Sequence, residues 1–208
     1  MDSPVPQPGR PARSDARRNR EHLLEVAREV LAEDGTQASL REIARRAGVG
    51  LGTLYRHFPN REALLDALLR QRFEELTTLA ETLARTHEPR AALVEWLRTF
   101  LAGSTTYRGL VTAMIATIDD ESSALHASCA AMRAATAELL TRAQRSGEIR
   151  GDVDNLDVIA LVSAVGWIVE QSPRLVGRSD HLYALIMDAL TVSRDDPWAD
   201  RLYGADVP

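Results

Sequence analysis

The stretch AGVGLGTLYRHFPNREALLDAL, residues 47–68, holds the residues whose types and spacing suit chemistry best. Gly48, Gly50 and Gly52 fall at every second position, and Thr53, Tyr55, His57 and Arg61 follow at once. Glycines leave backbone N–H groups uncovered, and the side chains after them donate hydrogen bonds. That combination suits an anion, which is either a nucleotide phosphate in a glycine-rich loop or the backbone of DNA. A nucleotide cradle needs a strand before it and a G-x-G-x-x-G or G-x-x-x-x-G-K-[ST] spacing. G-V-G-L-G-T has neither spacing, and what precedes it reads as a helix. The remaining reading is a turn that leads into a DNA-reading helix.

Other chemistry is thin. His126 and Cys129 stand three apart on a predicted helix, but two ligands are too few for a metal site. Asp119, Asp120 and Glu121 form an acidic run ahead of a helix, where carboxylates complement the helix dipole. No Ser-His-Asp or HExxH arrangement occurs. We therefore expect no catalytic residue, no metal and no cofactor, and an all-α enzyme stands only as an alternative.

The elements that must position residues 47–68 are helical. Leu23, Val26, Ala27, Val30 and Leu31 recur at helical spacing over 17–34, and Gly35 ends that run. Ser39 and Glu42 in SLRE are spaced as a capping box for a short helix at 40–47, which Gly48 closes. A third helix spans about 51–57, with Leu54 and Phe58 facing inward. Pro59 stops it, and Asn60 caps a long fourth helix that runs to about residue 85. Further helices are predicted at 89–101, 107–118, 122–146, 155–170 and 179–192, with turn residues between them. The fold class is all-α with about nine helices. Two short helices about a glycine turn are the outline of a helix-turn-helix, and Gly48 is the residue suited to its left-handed backbone.

SLREIARRAGVGLGTLYRHFPNREALLDAL, residues 39–68, closely resembles the DNA-binding domain of the TetR family of transcriptional regulators. The likeness covers about residues 17–77 and includes the Ala-Gly-Val turn and the Thr-Leu-Tyr-x-His-Phe recognition helix. It implies a regulator, expected to be a repressor released from its operator by a small-molecule effector. The domains it implies are a disordered arm at 1–16, the DNA-binding domain at 17–77 with its helix-turn-helix at about 39–58, and an effector-binding and dimerisation domain at 78–208. Carried over by position, Thr53, Tyr55 and His57 hold the phosphate backbone, and Arg61 takes a phosphate at a helix N-terminus. Ser39 caps the second helix and can touch phosphate. Arg41 points toward base edges, and Arg17 and Arg18 toward the backbone or a minor groove. The first three recognition positions are Gly50, Leu51 and Gly52, a departure from polar readers. Two glycines permit close approach, and Leu51 can meet a thymine methyl.

Charge is distributed in keeping with that reading. The first 72 residues carry 13 arginines against 10 carboxylates, and the remainder 12 against 20. A mildly basic head on an acidic body fits an anionic partner at the head. All 25 basic residues are arginine, so every cationic contact is a guanidinium fork. The N-terminus lacks an apolar signal region, the longest uncharged apolar run is too short for a membrane, and a single cysteine fits a reducing compartment. The expected location is the cytoplasm, away from membranes.

Beyond residue 77 the reading is coarser. Residues 155–170 are apolar nearly all round, so that helix is expected to be buried on more than one side. The resemblance implies that 155–192 pairs with its mate in a homodimer, as reading a palindromic operator requires; the other reading is an internal core. Trp96, Phe100, Tyr107, Met114, Met132 and Trp167 are large or soft side chains on neighbouring helices. They read either as the lining of a pocket for a small, mostly apolar effector or as plain core. A DNA-binding protein without a ligand switch is the further alternative.

Overall fold

A computed structural model describes residues 11–34, 38–106 and 125–192. It is all-α, with no strand among the described residues. Eight α-helices are described: α1 (Pro11–Asp34), α2 (Leu40–Arg46), α3 (Leu51–His57), α4 (Arg61–Thr86), α5 (Pro89–Thr106), α6 (His126–Arg145), α7 (Asn155–Gln171) and α8 (Ser179–Leu190). A 3-10 helix, Pro173–Arg178, joins the last two. The helix expected at 107–118 lies outside the described residues. None of the described helices is long and apolar enough to cross a membrane.

The chain divides into two compact units, Met1–Arg72 with Thr106–His126, and Phe73–Thr105 with Ala127–Pro208. In the first unit, α1 begins at Pro11, six residues ahead of the sequence-based start, so the second part of the expected disordered arm at 1–16 is helical. Proline is tolerated in a first helical turn, where its missing N–H has no bond to make. Arg18 donates to Asp15 at 2.5 Å and Arg17 to Glu21 at 2.8 Å, one turn apart, which favours that extension.

The first unit closes around one apolar cluster. Leu23, Ala27 and Val30 of α1 meet Ile43 and Ala44 of α2, Leu54 of α3, and Leu64 of α4. Burial of each large side chain stabilises by roughly 1.5–3 kcal/mol, so this cluster fixes how the short helices α2 and α3 pack, which neither could do alone. Ser39 is the N-cap of α2, but its Oγ accepts from the Arg41 N–H at 3.3 Å, and Glu42 does not reach back. The expected reciprocal capping box is absent because Arg45 and Arg46 take the Glu42 carboxylate, at 2.6 and 2.8 Å. Arg46 also donates to Glu33 of α1 at 2.7 Å, tying the two helices together. A reciprocal box does form at α7, where Asp154 caps Leu156 and Asp157 and Asp157 answers the Asp154 N–H.

In the second unit, Trp96 is fully buried and spends its indole N–H on the Leu76 carbonyl at 2.8 Å. The Tyr183 hydroxyl of α8 donates to the Val94 carbonyl of α5 at 2.5 Å, and Asn155 of α7 donates to the Arg133 carbonyl of α6 at 3.0 Å. Gly147 takes φ +76° in the turn after α6. An isolated antiparallel bridge pairs Ile149 with Thr191. Its backbone bonds run from Arg150 N–H to Leu190 O at 2.9 Å and from Val192 N–H to Glu148 O at 3.2 Å.

Candidate nucleic-acid interface

Four residues, 47–50, separate α2 from α3. Gly48 takes φ +67°, the left-handed region that side chains disfavour. Its N–H bonds the Arg45 carbonyl at 3.2 Å and the Val49 N–H bonds the Ala44 carbonyl at 3.0 Å, so the α2 C-terminus is closed before α3 begins. Gly50 is the N-cap of α3, with extended backbone and no side chain to cover the first N–H groups. The glycines thus make a turn and an open helix start after a helix, which settles the question between a nucleotide cradle and a helix-turn-helix.

About 100° per residue separates side chains around α3. Leu54 and Phe58 share the buried side. Gly52 and Arg56, four apart, lie on the exposed side. Thr53 and His57 are half-buried on one flank, and Tyr55 is 45% exposed on the other. A Cβ added at Gly50 or Gly52 would meet nothing within 4 Å. Leu51 is half-buried and packs against the apolar cluster of the first unit. Asn60 accepts from the Ala63 N–H at 2.8 Å, as an N-cap for α4, whose first residue is Arg61.

The cations of this unit differ in what they already hold. Arg45 and Arg46 are spent on Glu42 and Glu33, and these guanidinium groups hold the Glu42 carboxyl down to about 2. Arg41 is exposed. Arg17 and Arg18 are exposed but share their charge with Glu21 and Asp15. Two arginines that the sequence reading left aside acquire defined places. Arg20 lies over the Phe58 ring, 5.2 Å from its centroid. Arg56 folds back along α3, its Nε donating to the Gly52 carbonyl at 3.3 Å and its Nη2 to Thr53 Oγ1 at 3.1 Å. The i, i+3 and i, i+4 spacing of Arg56 from Thr53 and Gly52 is the sequence signal for the second.

The side chains expected to line an effector site differ in exposure. Trp96, Phe100 and Met132 are buried, and the Trp96 and Phe100 rings stack at 5.4 Å between centroids with 8° between planes. Trp167 is 48% exposed. Tyr107 and Met114 lie outside the described residues. A separate surface groove of about 550 Å³ is lined by Leu79, Leu83, His87, Arg90, Ala91, Val94 and Glu95. None of Trp96, Phe100, Met132 and Trp167, the expected effector residues that are described, lines it. No group of three or more His, Cys, Asp or Glu side chains suited to a metal occurs among the described residues.

Residues 23–68 match the family of bacterial regulatory proteins of the TetR type. Residues 88–192 match the C-terminal domain of SbtR-like transcriptional regulators. The chain belongs to the TetR family of transcriptional regulators. Its solved relatives agree: a TetR regulatory protein from Mycobacterium vanbaalenii is 36% identical, with a TM-score of 0.64 over 88% of this chain and 100% of that one. A TetR regulator from Streptomyces coelicolor is 32% identical, with a TM-score of 0.65 over 84% of this chain and 99% of that one. An HTH-type transcriptional regulator of Staphylococcus aureus is 42% identical over 53 residues, 25% of this chain and 29% of that protein. The turn at Gly48 and α3 lie within the residues that match the TetR-type family.

Proposed function

We propose that this TetR-family regulator acts as a repressor: a homodimer that occupies a palindromic operator and is released by a small, mostly apolar effector. The observation that carries the DNA part is the face of α3. Its exposed side carries the helix-start glycines and is flanked by Thr53 and His57 on one edge and Tyr55 on the other, behind a turn that Gly48 holds. In this proposal Thr53, Tyr55, His57 and Arg61 take phosphates, Ser39 adds a further phosphate contact, and Arg41 reaches a base edge. Arg17 and Arg18 exchange their carboxylate partners for the DNA backbone.

The dimer part rests on α7 and α8. Leu161, Trp167 and Ile168 of α7 are exposed, at 47%, 48% and 41%, and Leu185 of α8 at 52%. On α7 they flank exposed Ala164 on the side opposite buried Val158, Val162 and Val169. An apolar face of this kind is costly to leave in water and is covered when two copies pair. Pairing also supplies two recognition helices for half-sites about 34–36 Å apart. Trp167 belongs to this face in the proposal. The effector is held near Trp96, Phe100 and Met132, where soft side chains can repack. The body carries no chemistry in this reading, so the protein is not an enzyme, and it works in the cytoplasm where its operator is.

The test is binding to the DNA around its own gene. Purified protein is expected to protect a two-fold symmetric site there, with half-sites one helical turn or a multiple apart. Equal binding to that DNA and to scrambled DNA at every salt concentration would sink the reading.

A further inference from the structure

We infer that Arg56 is the side chain through which α3 reads a base, that the base is a guanine, and that the Thr53 hydroxyl and the Gly52 carbonyl hold its guanidinium. The inference rests on the DNA-binding reading above and goes beyond it. At the start of α3, the N-cap Gly50 and Gly52 have no side chain, and Leu51 packs against the apolar cluster. Whatever α3 reads with must then come from the next turn. Four residues past Gly52, on the same exposed strip, stands Arg56.

Gly52 has no conformational excuse within the fold. Its φ is not positive, and a Cβ there would meet open space. A glycine in a helix costs roughly 0.5–1 kcal/mol relative to alanine. The Gly52 carbonyl accepts from the Arg56 Nε at 3.3 Å, and a Cβ at Gly52 would leave that bond untouched, so the missing side chain serves the close approach to DNA rather than the hold on Arg56. Thr53 Oγ1 receives Nη2 at 3.1 Å from the flank. These two bonds occupy one edge of the guanidinium plane. The end of the fork keeps both Nη1 hydrogens and one on Nη2. That end-on pair matches the O6 and N7 acceptors of guanine in the major groove. The Thr53 hydroxyl hydrogen stays available for a phosphate oxygen, so one threonine can anchor to the backbone and orient the reader.

The experiment compares wild type with Arg56→Ala, Arg56→Lys, Thr53→Val and Thr53→Ser. Each is titrated on the operator, on scrambled DNA, and on operator carrying 7-deazaguanine at each guanine of one half-site in turn. Circular dichroism melts confirm that each variant folds. Arg56→Ala should lose about 5- to 150-fold on the operator and far less on scrambled DNA. Arg56→Lys should recover only part, because a lysine is no fork. One 7-deazaguanine position should weaken wild type and leave Arg56→Ala unmoved. Thr53→Ser should keep the discrimination that Thr53→Val loses. A phosphate role would appear instead as equal losses on operator and scrambled DNA, with the salt dependence reduced by about one counterion per half-site, and it would overturn the inference. Insensitivity of wild type to every 7-deazaguanine would overturn it too. Wild type that discriminates while Arg56→Ala discriminates equally well removes the role of Arg56 but leaves the regulator reading standing. Wild type that binds no operator removes both.

Discussion

Gly48 holds φ +67° at a point where a side chain would touch nothing, so any substitution there is felt through the backbone alone. Gly48→Ala should destabilise the protein by about 1–2 kcal/mol in denaturant titrations. Gly52→Ala should do the reverse, adding about 0.5–1 kcal/mol, because Gly52 sits in a helix with ordinary φ and open surroundings. Gly52→Gln should fold as well as wild type yet lose operator affinity or change sequence preference, since it places bulk on the DNA face. If it changes neither, the close-approach reading of α3 is wrong. Arg61→Ala should weaken operator and scrambled DNA alike, with a salt dependence flatter by about one counterion per half-site. At this scale much was legible in the sequence. Gly48, Leu54, Phe58 and Asn60 stand where spacing and turn chemistry put them. Leu51 was not legible as a core contact, because one apolar residue at a helix start fits either face until the packing of its neighbours is known.

At the scale of the elements, every described helix has a counterpart in the apolar periodicity, and the departures are at ends and caps. The pattern Ser39–Glu42 promises a reciprocal cap, yet Glu42 is drawn along its helix to Arg45 and Arg46. A charged partner one turn away outcompetes a neutral backbone N–H, and sequence spacing alone does not rank the two. The consequence is measurable in acid. The Glu42 carboxyl is held at about 2 by those arginines, below its ordinary 4.5. A depressed carboxyl stabilises the fold fully above its unfolded pKa, and that contribution is lost as pH falls toward the folded value. The melting-temperature margin of wild type over Glu42→Gln should therefore be constant above pH about 4.5 and vanish toward pH 2. It should also shrink in high salt, since the pairs are exposed. A margin that stays flat through acid would mean that the pairs of Glu42 with Arg45 and Arg46 contribute nothing to stability.

For the whole molecule, the exposed apolar face of α7 and α8 asks for a second copy. Ala164→Arg places a charge in the middle of that face without disturbing the buried side, and it should give a folded monomer by sedimentation velocity. Wild type that sediments as a monomer at micromolar concentration would defeat the dimer proposal. Tyr183 makes an internal check on the same body. Burial pushes its hydroxyl up to about 12, and it donates to the Val94 carbonyl. A raised acid of this kind stabilises fully below its unfolded pKa of about 10 and ceases to do so as pH rises through about 12. Tyr183→Phe should cost roughly 0.5–1.5 kcal/mol at neutral pH and lessen that alkaline loss in denaturation measured against pH. The effector site was the least legible part of the chain. Trp96, Phe100 and Met132 are apolar at helical spacing, and that pattern is the same whether a helix face lines a cavity or fills one.

The bridge between Ile149 and Thr191 gives the body a fastening that its helices do not share. It lies between the segment after α6 and the end of α8, a pairing of residues about forty apart in sequence. Two loop amides, Arg150 and Val192, are thereby enclosed in backbone bonds to Leu190 and Glu148. In hydrogen–deuterium exchange they should be protected as if they belonged to α8. Shortening the chain to end at Val192 keeps that fastening, whereas ending it at Asp188 takes away both partners on the α8 side. The segment after α6 should then become a site of protease cutting although nothing in it has been changed.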